Sequence, residues 1–143
     1  MVEFHSALRI AVVSAFLGGT LFVEARSQET NDHRSNTLVD TARAIANTIN
    51  VNTVKSRGAP LDFDSATAHD NVVSVIFVAN DFAAFDSFKS NSNVVRAQLI
   101  GFYCETTRIV YLRQGVVIHQ IYARSDNKDR VEFTIDKSSC DTR

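Results

Sequence analysis

Tryptophan is absent from these 143 residues, proline occurs once, at Pro60, and cysteine only twice, at Cys104 and Cys140. There is no C-x-x-C, the usual setting of a dithiol redox centre, and no short-spaced ligand pair of the kind that builds zinc sites. Five glycines, of which Gly18 and Gly19 stand in an apolar N-terminal run, supply no material for a phosphate-cradling loop. No G-x-S-x-G elbow announces a nucleophile. Charge of one sign is also lacking: 15 basic and 16 acidic side chains leave a net charge of −1. With no basic run, a nucleic-acid partner is set aside. What remains is 45% hydrophobic, with ten phenylalanines to build a core. That is the composition of an ordinary globular protein, and the length is that of one domain. No cofactor and no metal are expected.

The first segment reads differently from the rest. Arg9 precedes IAVVSAFLGGTLFV, fourteen residues without a charge, followed by VEARSQ. A basic residue, an apolar run and small residues at a V-x-A site fit an export signal spanning residues 1–25. The run is shorter than the roughly 20 residues of a comfortable transmembrane helix, so an uncleaved anchor is the lesser alternative. Residues 26–36 (RSQETNDHRSN) are polar throughout and are expected to be a flexible lead-in to a single domain, 37–143. Export places the chain in the periplasm or outside the cell. There an even cysteine count means pairing, and a Cys104–Cys140 bridge would stabilise the fold by roughly 3–4 kcal/mol. A zinc site with His69 and His119 is the competing use of these cysteines.

Helical periodicity begins with Leu38, Ala42, Ile45, Ala46 and Ile49, one apolar stripe on a helix over about residues 37–50. SRGAP breaks it. LDFDSATA and VVSVIFVA follow as strands joined by the turn residues HDN; the second, β-branched and apolar, reads as central and covered at least partly on both faces. Phe82, Phe85 and Phe88 recur every third residue on a short helix. VVRAQLIGFYC makes a longer helix ending at Cys104, and ETTRIVYLRQG a further short one closed by Gly115. VVIHQIYAR and RVEFTID form the clearest hairpin. The expected fold is α+β, with helices packed on one face of a roughly four-stranded antiparallel sheet. Cys140, just past the last strand, then ties the C-terminus to the helical layer.

Two kinds of site can be drawn from this chain. A hydrolase would need His69, His119 and the Asp62/Asp64 pair in one cleft, although a half-buried strand histidine and two edge carboxylates are the ordinary readings. A binding groove could be lined by Phe82, Phe85 and Phe88 on one wall and by Leu38 and Ile45 on the other, taking an amphipathic helix. Pairing of an extended peptide with a sheet edge is a further option.

The helix ending in Cys104, RIVYLRQG closing on Gly115, the hairpin and FTIDKSSC together resemble the compact α/β pilotins of type II secretion, over about residues 37–140. The resemblance implies a helical layer on an antiparallel sheet, one disulfide, and a groove that captures a short helix of a secretin subunit. Pilotins of this family are lipoproteins, whereas no cysteine stands near residue 25 here. The expected function is therefore a non-catalytic periplasmic protein-binding adaptor of a secretion or envelope system. A secreted effector or inhibitor, and a hydrolase with an unrecognised site, are the alternatives. The membrane is expected to be contacted only through an uncleaved N-terminal segment.

Overall fold

A computed structural model describes residues 31–55, 58–105 and 107–141, so residues 1–25, expected to be an export signal, and the first part of the expected lead-in lie outside the described residues. Helix α1 (Asn31–Asn52) buries Ala42, Ile45, Ala46 and Ile49, the stripe expected from their spacing. It starts at Asn31, inside the stretch expected to be a flexible lead-in. No proline or glycine between residues 31 and 52 interrupts backbone propagation, so the helix outruns its apolar face.

Strands β1 (Leu61–His69) and β2 (Val72–Ala79) form an antiparallel hairpin, with Asp70 in the left-handed backbone region at φ 52°. Three helices follow: α2 (Phe82–Ser90), α3 (Ser92–Cys104) and α4 (Ile109–Gln114). Asp81 caps α2, its side chain accepting the Ala84 amide at 3.0 Å. Gly115 ends α4 at φ 108°, where the Val116 amide reaches back to the Tyr111 carbonyl at 3.0 Å. Strands β3 (Val117–Arg124) and β4 (Arg130–Ile135) form the second hairpin, and a short helix, α5 (Lys137–Asp141), carries Cys140.

The sheet order is β1-β2-β3-β4, and here one expectation is corrected: the central β2–β3 pair is parallel, so the α+β sheet is mixed. The cause is the helical crossover. It carries the chain from the end of β2 back to the end at which β2 began, which only a long connection can do. Asn71 marks that return, its carbonyl accepting the Val117 amide and its side-chain amide donating to the Gly115 carbonyl at 2.7 Å.

Alternation divides the sheet into two faces, with one irregularity in β1 between Phe63 and Ser65 that puts Phe63 and Ala66 on the same face. Phe63, Ala66, Val73, Val75, Phe77, Ile118, Tyr122, Phe133 and Ile135 are buried beneath the helices in one core. Phe85 and Phe88 of α2, Val95, Leu99 and Tyr103 of α3, and Leu112 of α4 close it from above. Phe77 stacks on Tyr122 with ring centroids 5.1 Å apart, and Phe88 lies 4.6 Å from the same ring. Gln120 is the one polar strand residue in this layer. It donates to the Tyr103 hydroxyl at 2.6 Å and accepts from the Tyr122 hydroxyl, so its burial leaves both of its functional atoms paired. The Cys104 and Cys140 sulfurs are bonded at 2.01 Å, linking the end of α3 to α5.

Candidate functional site

Asp136, between β4 and α5, accepts from the Ser138 hydroxyl at 2.7 Å and the Ser139 amide at 3.0 Å, while the Ser139 hydroxyl faces the Asp136 amide at 3.2 Å. This reciprocal cap fixes α5, and these donors hold the Asp136 carboxyl below the usual carboxylate range. Beside the cap lies a shallow open cleft of about 390 Å³, lined by Leu112, Gly115 and Val117 on one side and Asp136, Lys137 and Ser138 on the other. Leu38 borders the same end of the molecule, its methyl group 3.4 Å from the position a Cβ on Gly115 would take. Half of the cleft is therefore apolar, and its other half carries a lysine, two carboxylates (Asp136 and Asp141) and a serine.

The five residues proposed for a groove are distributed by the helix geometry. Ile45, Phe85 and Phe88 are buried in the core. Phe82 is 41% exposed. A three-residue step rotates a side chain about 60° short of a full turn, so a stripe at that spacing drifts off the buried face within three members. The Arg124 guanidinium lies over the Phe82 ring at 4.3 Å and is held there by a bidentate pair with Asp126. Leu38 packs at the Gly115 end of the sheet and Phe82 follows the far end of β2. Those two accessible members thus mark opposite ends of the domain.

The residues that a hydrolase would need are also separated. His69 ends β1 and pairs with its neighbour Asp70 at 3.2 Å. Asp62 and Asp64 stand at the other end of β1, around a shallow hollow shared with Val78 and Asn80. His119, on β3, has its Nε2 3.1 Å from Glu132 on β4. No cleft gathers all four. Among the described residues no three His, Cys, Asp or Glu side chains converge as metal ligands.

Sequence reasoning passed over the cleft beside α5, because its walls are small parts of three elements and the turns between them. It also passed over the Arg124–Asp126 clamp. The signal for the clamp was legible: an arginine and an aspartate two residues apart at a hairpin end, with Phe82 following the neighbouring strand.

This chain shares its fold, a helical layer on one face of a four-stranded sheet, with type II secretion pilotins and with a candidate secreted protein. Three solved structures show this. A candidate secreted protein of Pseudomonas aeruginosa superposes with a TM-score of 0.66 at 17% identity, covering 75% of this chain and 96% of that one. The Vibrio vulnificus type 2 secretion pilotin EpsS gives 0.61 at 17% identity, covering 79% and 100%. The Vibrio cholerae pilotin AspS gives 0.56 at 17% identity, covering 76% and 97%. No protein-family model and no curated protein sequence matches the chain.

Proposed function

We propose that this chain is a non-catalytic adaptor of a bacterial secretion or envelope system, exported by its N-terminal segment and binding a short protein segment of that machinery. The observation that carries the reading is the extent of the fold likeness: it runs through the whole of one pilotin and 97% of another. The docking place proposed here is the cleft between α4 and α5. Its size suits a few side chains of a partner segment, and the partly exposed Val117, above the buried Leu112, faces a polar lip at Lys137 and Ser138. Leu38 extends the apolar wall, whereas Ile45, Phe85 and Phe88 serve the core.

The test is affinity isolation of the tagged chain from the envelope of its own host, with partners identified by mass spectrometry. A secretion or envelope component is expected with the unaltered chain, and its loss with Lys137→Trp, which fills the mouth of the cleft from an exposed position outside the Asp136 cap. Recovery of the same partners with both forms would remove the cleft from the account. Recovery of none would remove the adaptor itself. The likeness to a candidate secreted protein favours a second reading, an effector or inhibitor released from the cell. Accumulation in culture supernatant instead of the periplasm would select it.

A further inference from the structure

The helices cover one face of the sheet; the other face has an order of its own. Val72, Ile76 and Val78 of β2 and Val117, Ile121 and Ala123 of β3 are partly exposed, and none belongs to the core or its packed margin. They form an apolar strip two strands wide down the centre of the outer face, interrupted by one polar row, Ser74 and His119. Polar and charged residues flank it: Asp62, Ser65 and Thr67 on β1, and Arg130, Glu132 and Thr134 on β4. An apolar centre with a polar rim is the anatomy of a protein interface.

The register across the strands identifies the occupant. Asp62 pairs with Val78, Val78 with Ala123, and Ala123 with Arg130, so these four form one row. Ser65, Ile76, Ile121 and Glu132 form the next, and Thr67, Ser74, His119 and Thr134 the one after. A two-fold axis lying along the strands, between β2 and β3, exchanges β1 with β4 and β2 with β3 while keeping every row in place. Asp62 then meets an arginine, Ile76 meets an isoleucine, Ser65 meets a glutamate and Thr67 meets a threonine. No like charges are opposed in these rows, and the charged row is complementary twice over.

Asp62 supplies an independent reason. Its Oδ1 is shielded from solvent and has no hydrogen-bond partner, and the side chain makes no ion pair among the described residues. Oδ1 is covered by the chain's own atoms, so a facing guanidinium meets the carboxylate through the part of this partly exposed residue that remains open. It offsets a charge that the covered oxygen bears without a donor. Arg130 is 70% exposed and, though paired with Glu132 through Nε at 2.6 Å, has its terminal nitrogens available for a second carboxylate. We propose that the outer face of the sheet is a self-docking surface, on which a second copy of this chain packs sheet to sheet with Asp62 of each copy against Arg130 of the other.

Four strands spaced about 4.8 Å apart, over some seven residues of about 3.3 Å each, give a face of roughly 19 by 23 Å. That is on the order of 450 Å² in projection per copy, below the roughly 800 Å² of a standard interface, so association is weak and concentration-dependent. The helical face stays accessible in such a pair, whereas Val117 belongs both to this strip and to the cleft beside α5, so the pair and a cleft-bound segment share that one residue. The inference itself does not rest on the adaptor reading.

Sedimentation velocity from micromolar to near-millimolar protein tests it, using the chain in the form recovered from cells. Dimer is expected to grow with concentration. Asp62→Arg and Arg130→Asp should each weaken self-association by about tenfold or more, since each opposes like charges at both ends of the interface. An equimolar mixture of the two variants should restore it, because the heterodimer regains both pairs. Thermal melting of each variant reports whether it is folded. If either swap fails to fold, Ile76→Lys replaces it, and the same loss of dimer is expected. A wild-type chain that stays monomeric throughout overturns the proposal. So does a dimer indifferent to these substitutions, a mixture that remains monomeric, or an outer face that binds only a different protein.

Discussion

Gln120 is the residue on which the core turns, because it brings a full amide into a layer otherwise built of apolar and aromatic side chains. The cost is offset only because Tyr103 and Tyr122 meet it from opposite sides. Burial pushes the Tyr103 hydroxyl up to about 12, the hydrogen bond from Gln120 and the nearby Arg108 opposing the shift, and pushes Tyr122 further up still. The unfolded chain releases these protons near pH 10, so the folded state holds them longer. The stability they contribute is whole below pH 10 and is lost as pH rises through about 12, amounting to roughly 2–3 kcal/mol for Tyr103 alone. Urea denaturation at pH 8 to 12 should show this decline. Tyr103→Phe should start about 1–3 kcal/mol lower, having left a Gln120 donor without its acceptor, and then fall less steeply. Parallel curves for the two proteins would contradict this description.

At the scale of elements, the exposed edge of β1 is managed by α1. Asn50 donates to the Ala66 carbonyl at 2.7 Å and accepts the Ala66 amide at 2.8 Å, so one side chain serves both backbone groups where the strand has no neighbour. Asn50→Ala is expected to destabilise the domain by about 1–3 kcal/mol and to raise amide exchange at Ala66 ahead of the strand interior. Unchanged exchange there would show that water replaces the side chain at no cost.

Much of this layer was legible beforehand. The stripe of α1, the faces of the β3–β4 hairpin and the closure of α4 at Gly115 follow from local periodicity and backbone freedom. Two things were not. The direction of β3 relative to β2 depends on where the α2–α4 crossover returns the chain, and strand periodicity is the same for either direction. The fate of the phenylalanine stripe depends on how far α2 turns before it meets the sheet. That is decided by packing: Phe85 and Phe88 point into the core and Phe82 does not. VVSVIFVA read as apolar on both sides because it is. Its outer residues Val72, Ile76 and Val78 are partly exposed, flanked by neighbouring strands and outside the helix-covered core.

For the molecule as a whole, the bridge from Cys104 to Cys140 is the covalent tie between the helical layer and the last element of the chain. Closing a loop across 36 residues removes conformational freedom from the unfolded chain, worth roughly 3–4 kcal/mol. The double variant Cys104→Ser/Cys140→Ser should lose about that much in chemical denaturation, with fraying at α5 first. A loss under about 1 kcal/mol would mean that the Asp136 cap alone secures the terminus.

The fold itself is shared with pilotins at 17% identity, which is the level at which architecture carries over and function has to be tested. The most direct test places a photo-crosslinking amino acid at Ser138, at the lip of the cleft, in living cells. A covalent product containing a secretion or envelope component is expected from this position and not from an exposed control such as Asp86 on α2. Equal labelling from both positions, or no product other than the chain itself, would contradict the adaptor function at its root.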